Sequence, residues 1–441
     1  MKRMRTKRIF TAGVIFLLAM SSLNAQKKEW TLTECIDYAL NENIQVRKAG
    51  VSENVGEISL QQAMDNRWPS LSASAGENFG WRSRTDTSGV STFKGSGSTS
   101  FSVSSGVTLF NGFQTQNNIR KAELSYKELQ YSTEQTKESI SLNVMNAYLQ
   151  VLYSEEQVVN SRNQADATRE ELGLAAERQK LGAISNSDYL QVKTQLASDE
   201  LTLANAINNL EMNKVTLMQL MELPIDSEFS ISRPDIDAII STTPVPDASS
   251  VYETALQVKP QVKSAEISRE SSAIDLEIAK GGFYPTISAN AGLSTNFIEA
   301  ATMGSQLKDN FSPSVGLSAS IPIFRNNQNK SSVARAKASI TTAELDELNT
   351  RNQLRKEIEQ ACLDARSAVI SYEAAVNQHD ASLESYNVAE EKYKLGSMNS
   401  VDFLIQKANM NSSQSKLLQA KYELVYCYKI IDFYKGTPLS F

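Results

Sequence analysis

One histidine, His379, serves all 441 residues. Histidine is the side chain that most often moves protons or holds metals near neutral pH, so its scarcity removes the commonest general base and the commonest imidazole ligand sets. Cysteine is nearly as scarce. Cys35, Cys362 and Cys427 are far apart, odd in number and each set in a helical pattern. They read as small buried apolar residues rather than as a disulfide framework or a metal site. No phosphate-cradling glycine loop, metal-ligand cluster or nucleophile elbow occurs in the sequence, and the carboxylates are scattered along helical faces that solvent explains. No enzyme activity, cofactor or metal is expected. Past the first twenty residues there is no long apolar run, so no α-helical membrane span is available. Basic excess is missing too, with a net charge of −6 that argues against nucleic acid as partner.

What is present begins with an export signal. Lys2, Arg3, Arg5, Lys7 and Arg8 form a basic start, Ile9 to Met20 an apolar run too short to span a bilayer, and Leu23-Asn24-Ala25 a cleavage site. Residues 1–25 are expected to be removed. The mature chain then carries 39 basic against 50 acidic residues, a net of −11. No cysteine lies near the cut, so a lipid-anchored terminus is not expected.

The chain states one pattern twice. Lys180-Leu181-Gly182, followed by Ser187-Asp188-Tyr189-Leu190, recurs 214 residues later as Lys394-Leu395-Gly396, followed by Val401-Asp402-Phe403-Leu404. Trp68-Pro69-Ser70-Leu71-Ser72-Ala73 recurs as Tyr284-Pro285-Thr286-Ile287-Ser288-Ala289. Such long-period similarity means two copies of one large unit. Residues 26–222 form the first repeat and 248–441 the second. The aperiodic stretch 223–247 between them, punctuated by Pro224, Pro234, Pro244 and Pro246, reads as a linker or an equatorial belt.

Each repeat holds two strictly alternating segments, predicted as strands over about 69–80, 99–110, 285–297 and 311–324. Leu71, Ala73 and Ala75 oppose Ser70, Ser72 and Ser74, and Val315, Leu317 and Ala319 oppose Ser314, Gly316 and Ser318. A soluble sheet would place Lys and Glu on its polar face. A face of Ser, Thr, Asn and Gly instead suits the lumen of a transmembrane β-barrel. Trp68, Tyr284, Phe110 and Phe324 at one set of strand ends, with Phe79, Trp81 and Phe297 near the other, fit aromatic girdles. Arg82 to Gly97 reads as an exposed hairpin loop. Four strands cannot close a barrel, since barrels start at about eight. An open edge in lipid leaves backbone groups unpaired at several kcal/mol each. Several copies must therefore share one barrel, inserted the same way and related by a cyclic axis.

The remaining pattern is helical. Helices are predicted over Thr31–Arg67 and Asp247–Gly281, very long ones over Gln114–Lys180 and Gln328–Lys394, and others over Ser187–Met221 and Ser400–Tyr434. At 1.5 Å per residue the long ones reach about 100 Å and the shorter ones about 50 Å. Leu354, Ile358, Ala361, Ala365, Ala368, Tyr372 and Ala375 step by four and three, the mark of a coiled-coil seam. The fold class is thus a mixed α/β membrane protein of two tandem helix–strand–strand–helix repeats, a shared transmembrane β-barrel continued by a hollow tube of helices.

With these features the chain resembles the TolC family of outer-membrane efflux proteins. The resemblance rests on the duplicated element order, on Trp30-Thr31-Leu32-Thr33-Glu34-Cys35 ahead of Ala39-Leu40, on Pro69 and Pro285 at the strand openings, and on the turns Leu181-Gly182 through Asp188 and Tyr393-Lys394-Leu395-Gly396 through Asp402. It implies a homotrimer with a twelve-stranded barrel in outer-membrane lipid and a helical tunnel crossing the periplasm, docked on a periplasmic adaptor protein and an inner-membrane transporter. It also implies a closed periplasmic tip. Asp188 and Tyr393 match one linking pair, and Ser187 a hydroxyl position beside it. A basic residue that ties neighbouring helices falls on Met398, so that salt link is expected to be absent. Of two acidic positions at the constriction, Asp402 matches one and Ile405 the other, implying one carboxylate ring and one apolar ring. Leu181, Gly182, Leu395 and Gly396 match the turns where adaptors dock. Asp188 and Asp402 also stand where carboxylates cap helices, and Gly182 and Gly396 where glycines end them, so structural duties remain open beside the gating ones.

The function expected is a passive exit duct of a tripartite efflux or secretion system. A lining of Ser, Thr and Asn names no cargo, and selectivity is assigned to the pump. The alternative is a soluble periplasmic coiled-coil scaffold or adaptor, which has no need of four lipid-compatible strands.

Overall fold

The computed structural model describes residues 29–441 apart from 86, 226–228, 237–239, 241–243, 299–303 and 305–307. The expected export signal lies outside the described residues. In chain order the elements are β1 (Glu29–Trp30), α1 (Leu32–Glu42), α2 (Ile44–Asp65), β2 (Ser70–Thr85), β3 (Ser91–Phe110), α3 (Gln114–Lys180), α4 (Asn186–Leu220), β4 (Ser230–Ile231), α5 (Ala248–Val258), α6 (Pro260–Gly281), β5 (Thr286–Ile298), β6 (Ser312–Ser320), α7 (Gln328–Lys394) and α8 (Ser400–Tyr434). The duplication is exact in length where it matters most: α3 and α7 have 67 residues each, α4 and α8 have 35 each.

The helix ahead of each strand pair is broken, where the sequence pattern reads as continuous. Asn43 ends α1 with ψ 129° and Lys259 ends α5 with ψ 124°. At Lys259 the cause is Pro260, which pushes its predecessor out of the helical region. At Asn43 the side chain does the work. Its Oδ1 accepts from the Gln45 N–H at 2.8 Å, starting α2, while its Nδ2 donates to the Leu220 carbonyl at 2.9 Å. The start of α1 carries a full capping box between Thr31 and Glu34.

The chain divides into two compact units. One gathers residues 49–133 and 260–352 and contains a four-stranded antiparallel sheet in the order β2-β3-β5-β6. Its polar face is a ladder of small side chains: Ser72 meets Ser104 at 2.9 Å, Ser74 meets Ser102 at 2.7 Å, and Asn290 Nδ2 donates to Ser318 at 3.4 Å. The other face is apolar and open, with Leu71 77% exposed, Leu317 76% and Val315 90%. The first hairpin differs from expectation. Pairing continues through Arg82↔Lys94 to Thr85↔Ser91, so most of Arg82–Gly97 is strand. Loop-like composition does not stop a ladder whose backbone groups stay paired, and the Trp81 ring lies over Gly95, filling the space a side chain would take. β6 in turn stops at Ser320, short of Ile323, because Pro322 offers no N–H to the ladder. Where β3 leads into α3, Gly112 and Phe113 both adopt left-handed φ, and Asn326 and Asn327 repeat the device before α7. A Cβ on Gly112 would strike the Gly281 carbonyl.

The other unit gathers the described part of residues 1–48 with 134–259 and 353–441. Its core joins α1, the middle of α3, the end of α4 and α8 around fully buried Val144, Met145, Tyr148, Leu217 and Val425. Each such side chain contributes about 1.5–3 kcal/mol. The Tyr148 hydroxyl reaches the Ser232 carbonyl at 2.7 Å and the Trp30 carbonyl at 3.2 Å, clamping the two-stranded parallel β1–β4 pair. The linker between repeats therefore supplies a strand to this unit. Leu354, Ile358, Ala365, Ala368 and Ala375 of the predicted α7 seam are buried. Cys35, Cys362 and Cys427 are buried and outside any disulfide.

Candidate functional site at the interhelical turns

α3 passes into α4, and α7 into α8, through two turns built alike. Gly182 and Gly396 take φ 71° and 74°, a conformation that disfavours any side chain. Around them the Ala183 N–H donates to the Arg178 carbonyl at 2.8 Å and the Gly182 N–H to Gln179 at 2.9 Å. In the second turn Ser397 donates to Lys392 at 2.9 Å and Gly396 to Tyr393 at 3.1 Å. Both are the six-to-one and five-to-two closures that satisfy a helix's last carbonyls. Leu181 and Leu395, the residues before the glycines, are each 84% exposed.

Beyond the glycines the new helices start on polar caps. Ser185 and Asp188 form a capping box at α4, with the Asp188 N–H donating to Ser185 Oγ at 3.1 Å. At α8, Asn399 Oδ1 accepts from the Asp402 N–H at 2.8 Å, and Asn399 Nδ2 donates to the Asp402 carboxylate at 2.8 Å. Both aspartates are therefore cap partners, as their positions allow. Asp188 does more. Its other carboxylate oxygen accepts from Ser400 Oγ at 2.5 Å, a bond from the first repeat to the second. Hydrogen bonds from Ser400 and then Ser185 hold the Asp188 carboxyl below its ordinary value.

Tyr393 meets an aromatic partner. Its ring stacks on Phe403 with centroids 4.6 Å apart and planes 4° from parallel, and the Arg178 guanidinium lies 5.7 Å from the ring centre. Arg178 Nη2 also donates to the Lys394 carbonyl at 3.2 Å. Burial pushes the Tyr393 hydroxyl pKa up, with Arg178 opposing. The candidates thus divide. Asp188 is bound to Ser185 and Ser400, and Tyr393 to Phe403 and Arg178. Asp402 and Ile405 share the exposed side of α8 one turn apart, Ile405 half-exposed. Ser187 is exposed on the first turn of α4, and Met398 is half-buried just ahead of the α8 cap. Sequence reasoning missed Ser400, Phe403 and Arg178. Ser400 and Phe403 flank Asp402 closely enough for an inward helix face to have marked them, whereas nothing local marks Arg178.

These two turns close two repeats of one design, and the comparisons follow the same division. The chain matches the model of the outer membrane efflux protein family over residues 35–222 and 251–426, one stretch in each repeat. It belongs to the outer membrane efflux protein family. It is 19% identical over 423 residues to outer membrane protein TolC of Escherichia coli (strain K12), across 93% of this chain and 83% of that protein. Outer membrane efflux protein BepC of Brucella suis biovar 1 is 21% identical over 320 residues, 72% of this chain and 67% of that protein. The outer membrane channel CmeC of Campylobacter jejuni shares the fold, with a TM-score of 0.76 at 18% identity over 92% of this chain and 85% of that one. As an outer membrane efflux protein, the chain is an outer-membrane channel component of the efflux class, and the reading as a soluble periplasmic scaffold is set aside. The family is one of transport channels, not of enzymes.

Proposed function

We propose that three copies of the chain assemble on a common axis into one passive duct. The observation that carries this is the sheet. Four strands with β2 and β6 at its edges and one largely apolar face exposed have two needs, further strands and lipid, and a cyclic assembly in a bilayer meets both. Three copies bring twelve strands, inside the range of closed membrane barrels. The chain delivers cargo passed to it by an inner-membrane transporter through a periplasmic adaptor. The turns at Leu181, Gly182, Leu395 and Gly396 are the adaptor-docking elements, a reading supported by two exposed leucines at matching positions. Asp402 and Ile405 line the constriction as a carboxylate ring and an apolar ring, beside Asp188, Ser187, Tyr393 and Met398. Native mass spectrometry of the detergent-extracted mature protein tests the assembly. A trimer supports the shared barrel. A monomer released without detergent would remove the strands from the membrane and end this reading.

A further inference from the structure

Along α8 a polar residue recurs every seventh position, and each one reaches across to the first repeat. Ser400 bonds Asp188 of α4, Lys407 bonds α3, and Gln414 Nε2 donates to Asn160 of α3 at 3.1 Å. Within the second repeat the packing is of the other kind, with Phe403 of α8 held between Tyr393 and Tyr386 of α7 at 4.6 and 5.8 Å. Near the turns, then, α8 adheres to α7 through aromatic surface and to α3 and α4 through polar bonds, whereas farther along α8 Leu418, Tyr422 and Val425 join the apolar core with α3 and α4. Apolar contact resists water, while polar contact can exchange for it at small net cost. The turn-proximal part of the seam between repeats is the part suited to open and close, with the core as its fixed end.

Lys407 is the buried member of that seam, 3% exposed. Its ammonium donates to Thr168 Oγ1 and to Glu171 Oε1, each at 2.8 Å. Thr168, fully buried, donates in turn to Asp199 of α4 at 2.6 Å, and Gln164 and Gln195 each donate to the same carboxylate at 2.8 Å. The second Glu171 oxygen is buried with no hydrogen-bond partner. One ammonium thus pairs with Glu171 of α3 and, through the Thr168 hydroxyl, ties in Asp199 of α4. The duplication does not produce this cluster: the counterparts of Lys407 and Asp199 in the other repeat are Lys193, which is exposed, and Ser413.

We propose that Lys407 is the positioning residue that latches α8 to α3 and α4 and so holds the interhelical turns in their closed arrangement. This rests on the gating reading above. Without its ammonium, the buried Glu171 carboxylate is left without its counter-charge and with Glu390 and Asp199 still repelling it, and breaking a buried pair is worse than never having made it. The aromatic packing of α7 on α8 survives, so the second repeat's helices are released as a pair. Loss of one such coupling shifts the closed-to-open ratio by about 5–150-fold.

The latch also has a pH signature. Glu171 is faced by Lys407 from α8, Asp199 from α4, and Glu390 and Tyr386 from α7. Burial raises its pKa and Lys407 draws it back. With Lys407 gone the upward push is unopposed. A carboxyl whose closed-state pKa is raised favours closure when protonated, so a variant lacking the ammonium closes again as pH falls through that raised value.

Single-channel recording of the purified protein in planar bilayers tests this with Lys407→Met, Lys407→Arg and Lys407→Met/Glu171→Gln, across pH 5 to 8. Expected are a raised open fraction for Lys407→Met at neutral pH that falls on acidification, near wild-type closure for Lys407→Arg, and partial restoration by Glu171→Gln. Should Lys407→Met fail to assemble, Lys407→Gln, which keeps hydrogen bonds without charge, is to show the same pH-dependent opening. Wild-type conductance at every pH for both uncharged variants overturns the latch. Tyr393→Phe and Asp402→Ala, recorded alongside, separate the two readings. If they alter conductance and the Lys407 variants do not, only the latch falls; if none does, the gate falls with it.

Discussion

At the scale of the residue, the decisive question is whether Asp402 is a cap, a pore charge or both. Its bonds with Asn399 make it a cap partner, and it remains exposed on the same side of α8 as Ile405. The two duties separate experimentally. A lost cap contact costs about 0.5–2 kcal/mol of helix stability and leaves permeation unchanged. A lost charge ring removes three carboxylates, each attracting a cation by about 1 kcal/mol through water at 4 Å. Asp402→Ala is therefore expected to lower the cation-over-anion permeability ratio in planar bilayers by about tenfold or more, whereas Asn399→Ala, which removes the cap bonds and keeps the Asp402 charge, leaves it largely unchanged. Equal ratios in wild type and Asp402→Ala would leave capping as the residue's whole role. Asp188 and Tyr393 were legible as residues but not as a geometry. Asp188 is bonded by Ser400 from a helix 212 residues on, which no local pattern shows, and Tyr393 stacks on Phe403 across the adjoining turn, a pairing set by how that turn folds back.

At the scale of the element, helix ends were easier to read than helix interruptions. Glycine after a periodic run and Ser or Asn before the next one are local signals, and α3, α7 and α8 begin and end where those signals stand. The break at Lys259 had a local signal in Pro260; the break at Asn43 had only an Asn cap as its signal, and its other bond, to the distant Leu220 carbonyl, left no trace in the local sequence. Asn43→Ala strips that carbonyl of its donor and α2 of its start, and should lower stability by about 1–2 kcal/mol in a denaturant titration. An unchanged midpoint would mean that the chain path, not the side chain, sets the break. Lys259 is held differently. It is 1% exposed, with its ammonium 3.0 Å from Glu138 and 3.2 Å from the centre of the Phe433 ring. Burial lifts the Glu138 carboxyl above its ordinary value and Lys259 pulls it down. In Lys259→Met the lift is unopposed, so the folded state binds the Glu138 proton more tightly than the unfolded one. Stability is then present at low pH and lost as pH rises through the raised value. The variant is expected to lose about 2–3 kcal/mol at pH 7, less than the ~3–5 of a fully buried pair because Glu138 is partly exposed, and to recover part of it at pH 5. A loss independent of pH would show that the ring contact, not the charge pair, holds this joint.

At the scale of the whole molecule, the duplication and the alternating, charge-poor strand segments made the architecture readable, because both are properties of pattern rather than of contact. The hairpin that continues through Arg82 and Lys94 was not readable, since paired backbone leaves no trace in side-chain alternation. Neither is the partner of each sheet edge, which lies in another copy. β2 and β6 are the two edges of a four-stranded sheet, three strand spacings apart, or about 14 Å. A disulfide needs Cα atoms within about 7 Å, so cysteines on the two edges of one chain cannot join. In a shared barrel they can, because β6 of one copy lies beside β2 of the next. Ser72→Cys, combined in turn with cysteine at Ser312, Ser314, Gly316 and Ser318, keeps every new thiol on the same face, and the three native cysteines are buried and do not compete. Mild oxidation in membranes should give covalent dimers and trimers for at least one pairing, strongest at the register the neighbours adopt, and none for Ser72→Cys alone. Only monomers across the whole scan would mean that the sheet edges do not meet, and the barrel would have to close by some other pairing.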